Sequence, residues 1–214
     1  MRLSALALLI GLAAAGGACN PPPPDAGDYV TRLAAVRANK DTQFQRESTP
    51  VPDGRKAGLL PLAYYPVDPA YNVPAVLRPS SDGAIVLMPT STGEQRRERR
   101  AGTLEFTLKG EPMTLSAFVE ADASDMNHLF VPFRDLTSGA ETYEAGRYLE
   151  LSRTATGYYE LDFNRAFNPY CYYSLAYECP LPPQENRLKV RIDAGEKIRK
   201  EEDKKEDKKE EGKR

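Results

Sequence analysis

Apolar positions at Tyr29, Leu33, Val36 and Phe44, with Ala34 and Ala35 between them, recur at helical spacing behind a Gly-Asp start. They predict one amphipathic helix from Asp28 to about Phe44, with Arg32, Arg37, Lys40 and Asp41 largely off its apolar face. Beyond Pro50 the pattern shortens to extended runs separated by turns. Residues 59–65 and 71–77 are apolar or aromatic, but Pro61, Pro66, Pro69, Pro74 and Pro79 bracket them. Proline lacks the amide that a central strand donates, so these read as edge or irregular strands. Residues 84–88 follow a Ser-Asp-Gly turn. The clearest alternation sets Leu104, Phe106 and Leu108 against Thr103, Glu105 and Thr107, then resumes after Lys109-Gly110-Glu111 as Met113, Leu115, Ala117 and Val119. Period two on both sides of a Gly-containing turn predicts a hairpin with one buried face. Leu129, Val131 and Phe133 form another run, as do residues 148–151 and 158–163, and Leu188, Val190 and Ile192 form the last. The expected fold is mainly β: an antiparallel barrel-like or strongly bent sheet closed on itself, with one N-terminal amphipathic helix.

The two ends of the chain carry other patterns. Met1-Arg2 precedes an apolar run from Leu6 to Ala15, and Gly16-Gly17-Ala18 leads to Cys19. A basic start, a run too short to span a bilayer and small residues before a cut site predict a secretory signal over residues 1–19. Cys19 directly after small residues is similar to the lipobox of bacterial lipoproteins and implies its acylation, although Gly16 stands where that motif usually carries Leu. Plain secretion with a free or paired Cys19 is the other reading. Residues 20–27 contain four consecutive prolines and predict a stiff spacer. Residues 28–195 then form the β domain. Residues 196–214 are almost wholly Lys, Arg, Glu and Asp, and predict a disordered tail or an exposed, frayed helix. The expected location is extracytoplasmic, with the lipid holding the domain to the envelope membrane, on the periplasmic side in a diderm cell.

Composition adds little about partners. Lys plus Arg total 29 against 31 Asp plus Glu, a net charge of −2. No excess charge points to nucleic acid. Tyrosine and proline are plentiful and tryptophan is absent, which favours strands and turns. Cys171 and Cys179 make an even pair in an oxidising compartment. A disulfide there closes a short loop and contributes about 2.5 kcal/mol on the loop-entropy model. Two unpaired thiols are the alternative, and the spacing is not that of a Cys-x-x-Cys redox pair.

Several stretches carry a resemblance. They are the run from Phe133 to Leu149 (FRDLTSGAETYEAGRYL), Leu161-Asp-Phe-Asn164, Asn168-Pro-Tyr-Cys171, Cys179-Pro-Leu-Pro-Pro, Glu185-Asn-Arg-Leu188 and Ala194-Gly-Glu-Lys197. Together they resemble the DUF1684 family of uncharacterised bacterial proteins, often exported or lipid-anchored. The resemblance implies kinship over nearly the whole domain and no activity, cofactor or residue role.

The densest group of chemical side chains is Arg134, Asp135, Thr137, Ser138, Glu141, Thr142, Tyr143 and Arg147, in a Gly-containing loop between two strands. Loops held by a sheet are where binding groups sit. Two arginines flanking hydroxyls suit a small anionic ligand, because a guanidinium presents paired donors. Asp162, Asn164 and Asn168 can complete such a pocket. The plainer reading makes Arg134 and Asp135 a pair within the fold, 137–139 a turn, and the asparagines partners of their own backbone. The expected function is a binding or envelope-associated module, with a hydrolase-like enzyme using Glu141, Asp162 and Ser138 as the alternative. A Ser138/His128/Asp135 triad needs three residues of one strand and its loop to converge. One histidine and a Cys pair leave too few ligands for zinc, and no phosphate-cradling glycine motif appears, so no metal or cofactor is expected. Arg96, Arg97, Arg99 and Arg100 are interrupted by Glu98 and read as a solvated strand edge, not a nucleic-acid site.

Overall fold

The computed structural model describes residues 26–46 and 48–199. The predicted signal, Cys19, most of the proline spacer and residues 200–214 lie outside the described residues. Helix α1 (Ala26–Gln45) is followed by a short α2 (Asp53–Leu59) and then by seven strands: β1 (Asn72–Pro79), β2 (Ile85–Pro89), β3 (Gln95–Leu108), β4 (Glu111–Glu120), β5 (His128–Phe133), β6 (Arg147–Ser152) and β7 (Tyr159–Asp162). A one-turn helix α3 (Tyr170–Tyr173) lies beyond them.

All pairings are antiparallel, in the order β6-β5-β4-β3-β1-β7, with β2 pairing the N-terminal part of β3. An Arg153 to Tyr159 bridge joins the first and last strands of that path and nearly closes a barrel. The predicted hairpin is β3–β4, turned by Lys109 and Gly110, both at positive φ. A bulge between Arg100 and Gly102 bends β3. Only glycine fits there, because a Cβ on Gly102 would lie 2.1 Å from the Arg78 carbonyl oxygen. Inward-facing Leu104, Phe106, Leu108, Leu115, Leu129, Val131, Phe133, Leu149, Leu151, Leu161 and Phe163 fill the barrel. Each such burial stabilises by about 1.5–3 kcal/mol.

Two smaller clusters sit outside the barrel. Phe44, Val51, Leu59, Leu60, Leu62 and Tyr173 join α1, α2 and α3, while Tyr148, Cys171 and Cys179 pack with Phe130, Tyr143 and Phe167. Helix α1 buries Leu33 and Phe44 as its spacing predicts, but Val36 is 48% exposed. Its inner face is completed by the polar residues Tyr29, Arg37, Lys40 and Asp41, for which the barrel supplies partners. Helix α1 ends where the Lys56 ammonium of α2 donates to the Gln45 and Arg46 carbonyls.

Two boundaries differ from the sequence reading. The alternating run at Leu188, Val190 and Ile192 is not a strand. Leu188 and Ile192 do face the core, but the segment crosses the barrel end, with Leu188 N–H donating to the Arg134 carbonyl and Leu136 N–H to that of Val190. The predicted tail start at Glu196 falls inside the packed body. Glu196 is 1% exposed, the partners of its carboxylate come from far away in the chain, and the Arg199 amide donates to Tyr172 OH. Residues 187–199 therefore form a strap over one barrel mouth.

Candidate functional site

Strands β5 and β7 end at the strapped mouth and β6 begins there. The topology therefore gathers Arg134, Asp135, Ser138, Glu141, Tyr143, Arg147, Asp162 and Asn164 at one end of the barrel. They do not form one pocket; they divide into separate networks.

Asp135 organises the loop after β5. Its carboxylate accepts from the Thr137 amide (3.3 Å) and hydroxyl (2.9 Å), the Ser138 hydroxyl (3.3 Å), the Ile192 amide (2.7 Å) and Arg147 (3.4 Å). The Thr137 and Thr142 hydroxyls meet at 2.9 Å. Arg147 is 1% exposed and lies over the Phe133 ring. Its guanidinium donates to the strap carbonyls of Ile192 (3.0 Å), Ala194 and Glu196 (3.3 Å). Burial lowers the pKa of this guanidinium, and the Asp135 charge opposes the shift. Arg147 thus ties β6 to the strap from inside the mouth.

Asp162 joins the barrel to α1. It accepts from Tyr29 OH (2.7 Å), the Asn164 amide (3.0 Å), the Asn164 side chain (3.1 Å) and Arg165 (3.2 Å). Burial, reinforced by Asp162, pushes the Tyr29 hydroxyl well above its ordinary pKa. Asn164 also binds both backbone groups of Asp68. Arg134 contributes backbone bonds to Asn186 and Leu188, and its side chain is half-buried.

Glu141 is the more accessible carboxylate of the group, bonded to Arg191 (2.5 Å) and Tyr65 OH (3.1 Å). The Arg191 hydrogen bond holds its pKa below the usual range, whereas burial and the Glu141 charge push Tyr65 up to about 12. The Tyr143 ring meets that of Tyr172 at 5.3 Å, tilted by 57°, and lies beside the cysteine pair. Cys171 and Cys179 are free, buried thiols, with the Cys171 amide donating to the Cys179 sulfur at 3.0 Å. The thiol contact lowers the pKa of Cys171 to about 7 and raises that of Cys179. His128 is exposed and pairs with the Ser152 hydroxyl at 3.2 Å, while Ser138 bonds Asp135. The Ser138/His128/Asp135 hydrogen-bond chain is therefore not formed.

The constellation that sequence reasoning missed centres on Glu196. Its carboxylate accepts from Lys40, the Asn168 amide (2.8 Å), Tyr173 OH (2.7 Å) and Tyr64 OH (3.4 Å). Burial, with the Glu196 charge as the next cause, raises both tyrosine pKa values. Its signal in the sequence was the Ala194-Gly-Glu-Lys197 motif itself. Also missed was Asn186, fully buried, which binds both backbone groups of Ser116 and the Pro132 carbonyl. A concavity of about 440 Å³ opens beside α2, lined by Gly54, Arg55, Gly58, Leu59, Tyr172, Ile198 and Arg199. Among the described residues no group of three His, Cys, Asp or Glu is placed to hold a metal ion, and no helix is long and apolar enough to cross a membrane.

Comparison with known proteins agrees with this architecture. The solution NMR structure of an uncharacterized protein from Haloarcula marismortui is similar to this chain at 37% identity and a TM-score of 0.64, covering 83% of this chain and 98% of its own. No curated protein matches. Residues 59–197, from the last residue of α2 to near the end of the strap, match the model of a protein family of unknown function, and the chain belongs to that family, DUF1684.

Proposed function

We propose that this protein is an extracytoplasmic, lipid-anchored module that works by binding, with its barrel as a rigid body on a proline stalk. The observation that carries the binding reading is the condition of the buried polar groups. Asp135, Arg147, Asp162 and Glu196 each have several protein partners that hold α1, the strap or the loops in place. A catalytic acid, base or nucleophile must be able to reach a reacting atom. Ser138 bonds Asp135 and the His128 ring bonds Ser152, so the arrangement favours binding over the hydrolase-like alternative.

The lipid reading rests on Cys19 after Gly16-Gly17-Ala18 and on the proline run that follows. In the same compartment the adjacent Cys171 and Cys179 are expected as a disulfide, closing the loop between α3 and Pro180. Metabolic labelling of the full chain with a palmitate analogue tests the anchor. Label and membrane fractionation are expected for the native chain and lost in Cys19→Ala. Equal solubility of the two, with no label on either, overturns the anchored reading in favour of plain secretion.

A further inference from the structure

Strand β2 leaves one edge open. The Arg100 amide donates to the Ala84 carbonyl and the Thr90 amide to that of Glu94, with an unbroken register between them. In an antiparallel ladder, residues that bond the neighbouring strand alternate with residues that do not. Ala84, Val86, Met88 and Thr90 therefore bond β3, and Ile85, Leu87 and Pro89 turn their main-chain groups away from it. The Leu181 amide takes the Pro89 carbonyl at 2.7 Å, and Pro180 bridges to Thr90, so residues 179–181 cover the end of this edge. Among the described residues nothing takes the outward amides and carbonyls of Ile85 and Leu87.

This stretch lacks the devices that keep a strand edge solitary. Residues 84–88 carry no charge, no proline and no bulge. The side chains of Ile85 and Leu87, two residues apart, share one face and are 42% and 55% exposed. The open stretch is also bounded: the chain turns at Gly83, at positive φ, before it begins, and residues 179–181 close it beyond Leu87.

Such an edge matches itself. Laid antiparallel on a second copy with Val86 on the twofold axis, Ile85 lies opposite the partner subunit's Leu87, and each such pair exchanges two N–H···O bonds. The same register packs the two exposed apolar side chains against each other. Centring on Leu87 instead would set Ile85 against the partner subunit's Pro89, which has no amide and whose carbonyl is taken. Centring on Ile85 would set Leu87 against the turn at Gly83. Only one symmetric register therefore uses both open residues. Arg97 and Arg99 stand one strand behind Leu87 and Ile85. Across the pair, cations in one row are three strand spacings apart, about 14 Å, which exceeds the screening length of about 8 Å at physiological ionic strength.

We infer that β2 is a self-association edge, through which two copies of this chain pair antiparallel over residues 85–87 about a twofold axis at Val86. So short an edge is small beside stable protein interfaces, and the dimer is weak. This goes beyond the binding-module reading and does not need acylation of Cys19, although a shared membrane surface would raise the effective concentration.

The test uses the full chain with Cys19→Ala, so that the anchor plays no part in the result. Sedimentation equilibrium is expected to show a reversible monomer–dimer system. Leu87→Lys, at an exposed position, and Ile85→Pro, which removes an outward amide and no bond to β3, are each expected to weaken it at least tenfold with the thermal midpoint unchanged. Diamide oxidation reads the register. Val86→Cys is expected to give a covalent dimer, because opposed residues of a non-bonded pair lie within disulfide reach, and Leu87→Cys, which lies opposite Ile85, is not. If either edge substitution lowers the midpoint, the comparison of Val86→Cys with Leu87→Cys carries the test. A monomer at every concentration, dimers undiminished by both edge substitutions, or equal cross-linking of the two cysteine variants overturns the inference.

Discussion

The Asp135 carboxylate and the Arg147 guanidinium meet at 3.4 Å with side-chain exposures of 0% and 1%. Removing one member of a buried pair leaves the other charged and without its partner, a loss of about 3–5 kcal/mol. Arg147→Leu is therefore expected to lower the urea midpoint of unfolding by that equivalent. Arg147→Lys should rescue little, because an ammonium cannot fan out to three strap carbonyls and a carboxylate at once. A native midpoint for Arg147→Leu would show that the mouth is closed by something else.

The strap makes a second claim measurable. A chain ended after Arg199 keeps Glu196 and its four partners, and should melt close to the full chain. Ending after Gly195 strands Lys40 and Tyr173 in the interior and should cost about 3 kcal/mol or more, read as a large fall in melting temperature. Equal melting of the two truncations would put the domain boundary back at Glu196.

Glu98 is 2% exposed on β3, and Arg96, at 2.9 Å, is its ion-pair partner. Burial raises its pKa, Arg96 lowers it, and the Glu120 charge raises it again, with a net upward shift. A carboxyl whose folded pKa lies above its unfolded value is fully accommodated below the unfolded value, about 4.3, and that stability is lost as pH rises through the folded pKa. Glu98→Gln should therefore raise the melting temperature at pH 7, and the gain should vanish below about pH 4. A gain that persists at low pH would assign the effect to something other than ionisation.

Cys171 and Cys179 give the fourth test. Intact-mass analysis of chain recovered from an oxidising compartment should show the loss of two hydrogens and no alkylation at either residue. Reduction should then lower stability by about 2.5 kcal/mol. Quantitative alkylation of the recovered chain without reductant would leave them as two buried thiols, as they stand in the structure.

The barrel was legible in the sequence where side chains alone decide the structure. Leu104, Phe106 and Leu108 alternate with Thr103, Glu105 and Thr107 because one face of the end of β3 is buried, and the Lys109-Gly110 turn sets the register. The polar face of α1 was not legible. Arg37, Lys40 and Asp41 look like solvent-facing residues until Tyr65, Glu196 and Leu62 arrive from the barrel end. Helix α2 escaped because Gly54 and Gly58 interrupt any helical pattern in seven residues. Around the mouth, residue types identified where polar chemistry concentrates, but sequence carries no distances. It did not separate the Asp135–Arg147 network from the one that joins Asp162 to Tyr29.

Helix α1 enters against Asp162, and the strap leaves past Arg147, so both ends of the described chain emerge at the same barrel mouth. A fluorescent or affinity tag joined directly at Ala26 or Arg199 would crowd that mouth. The Thr154 to Gly157 turn between β6 and β7 lies at the far rim, and it offers an insertion point that leaves the strap undisturbed.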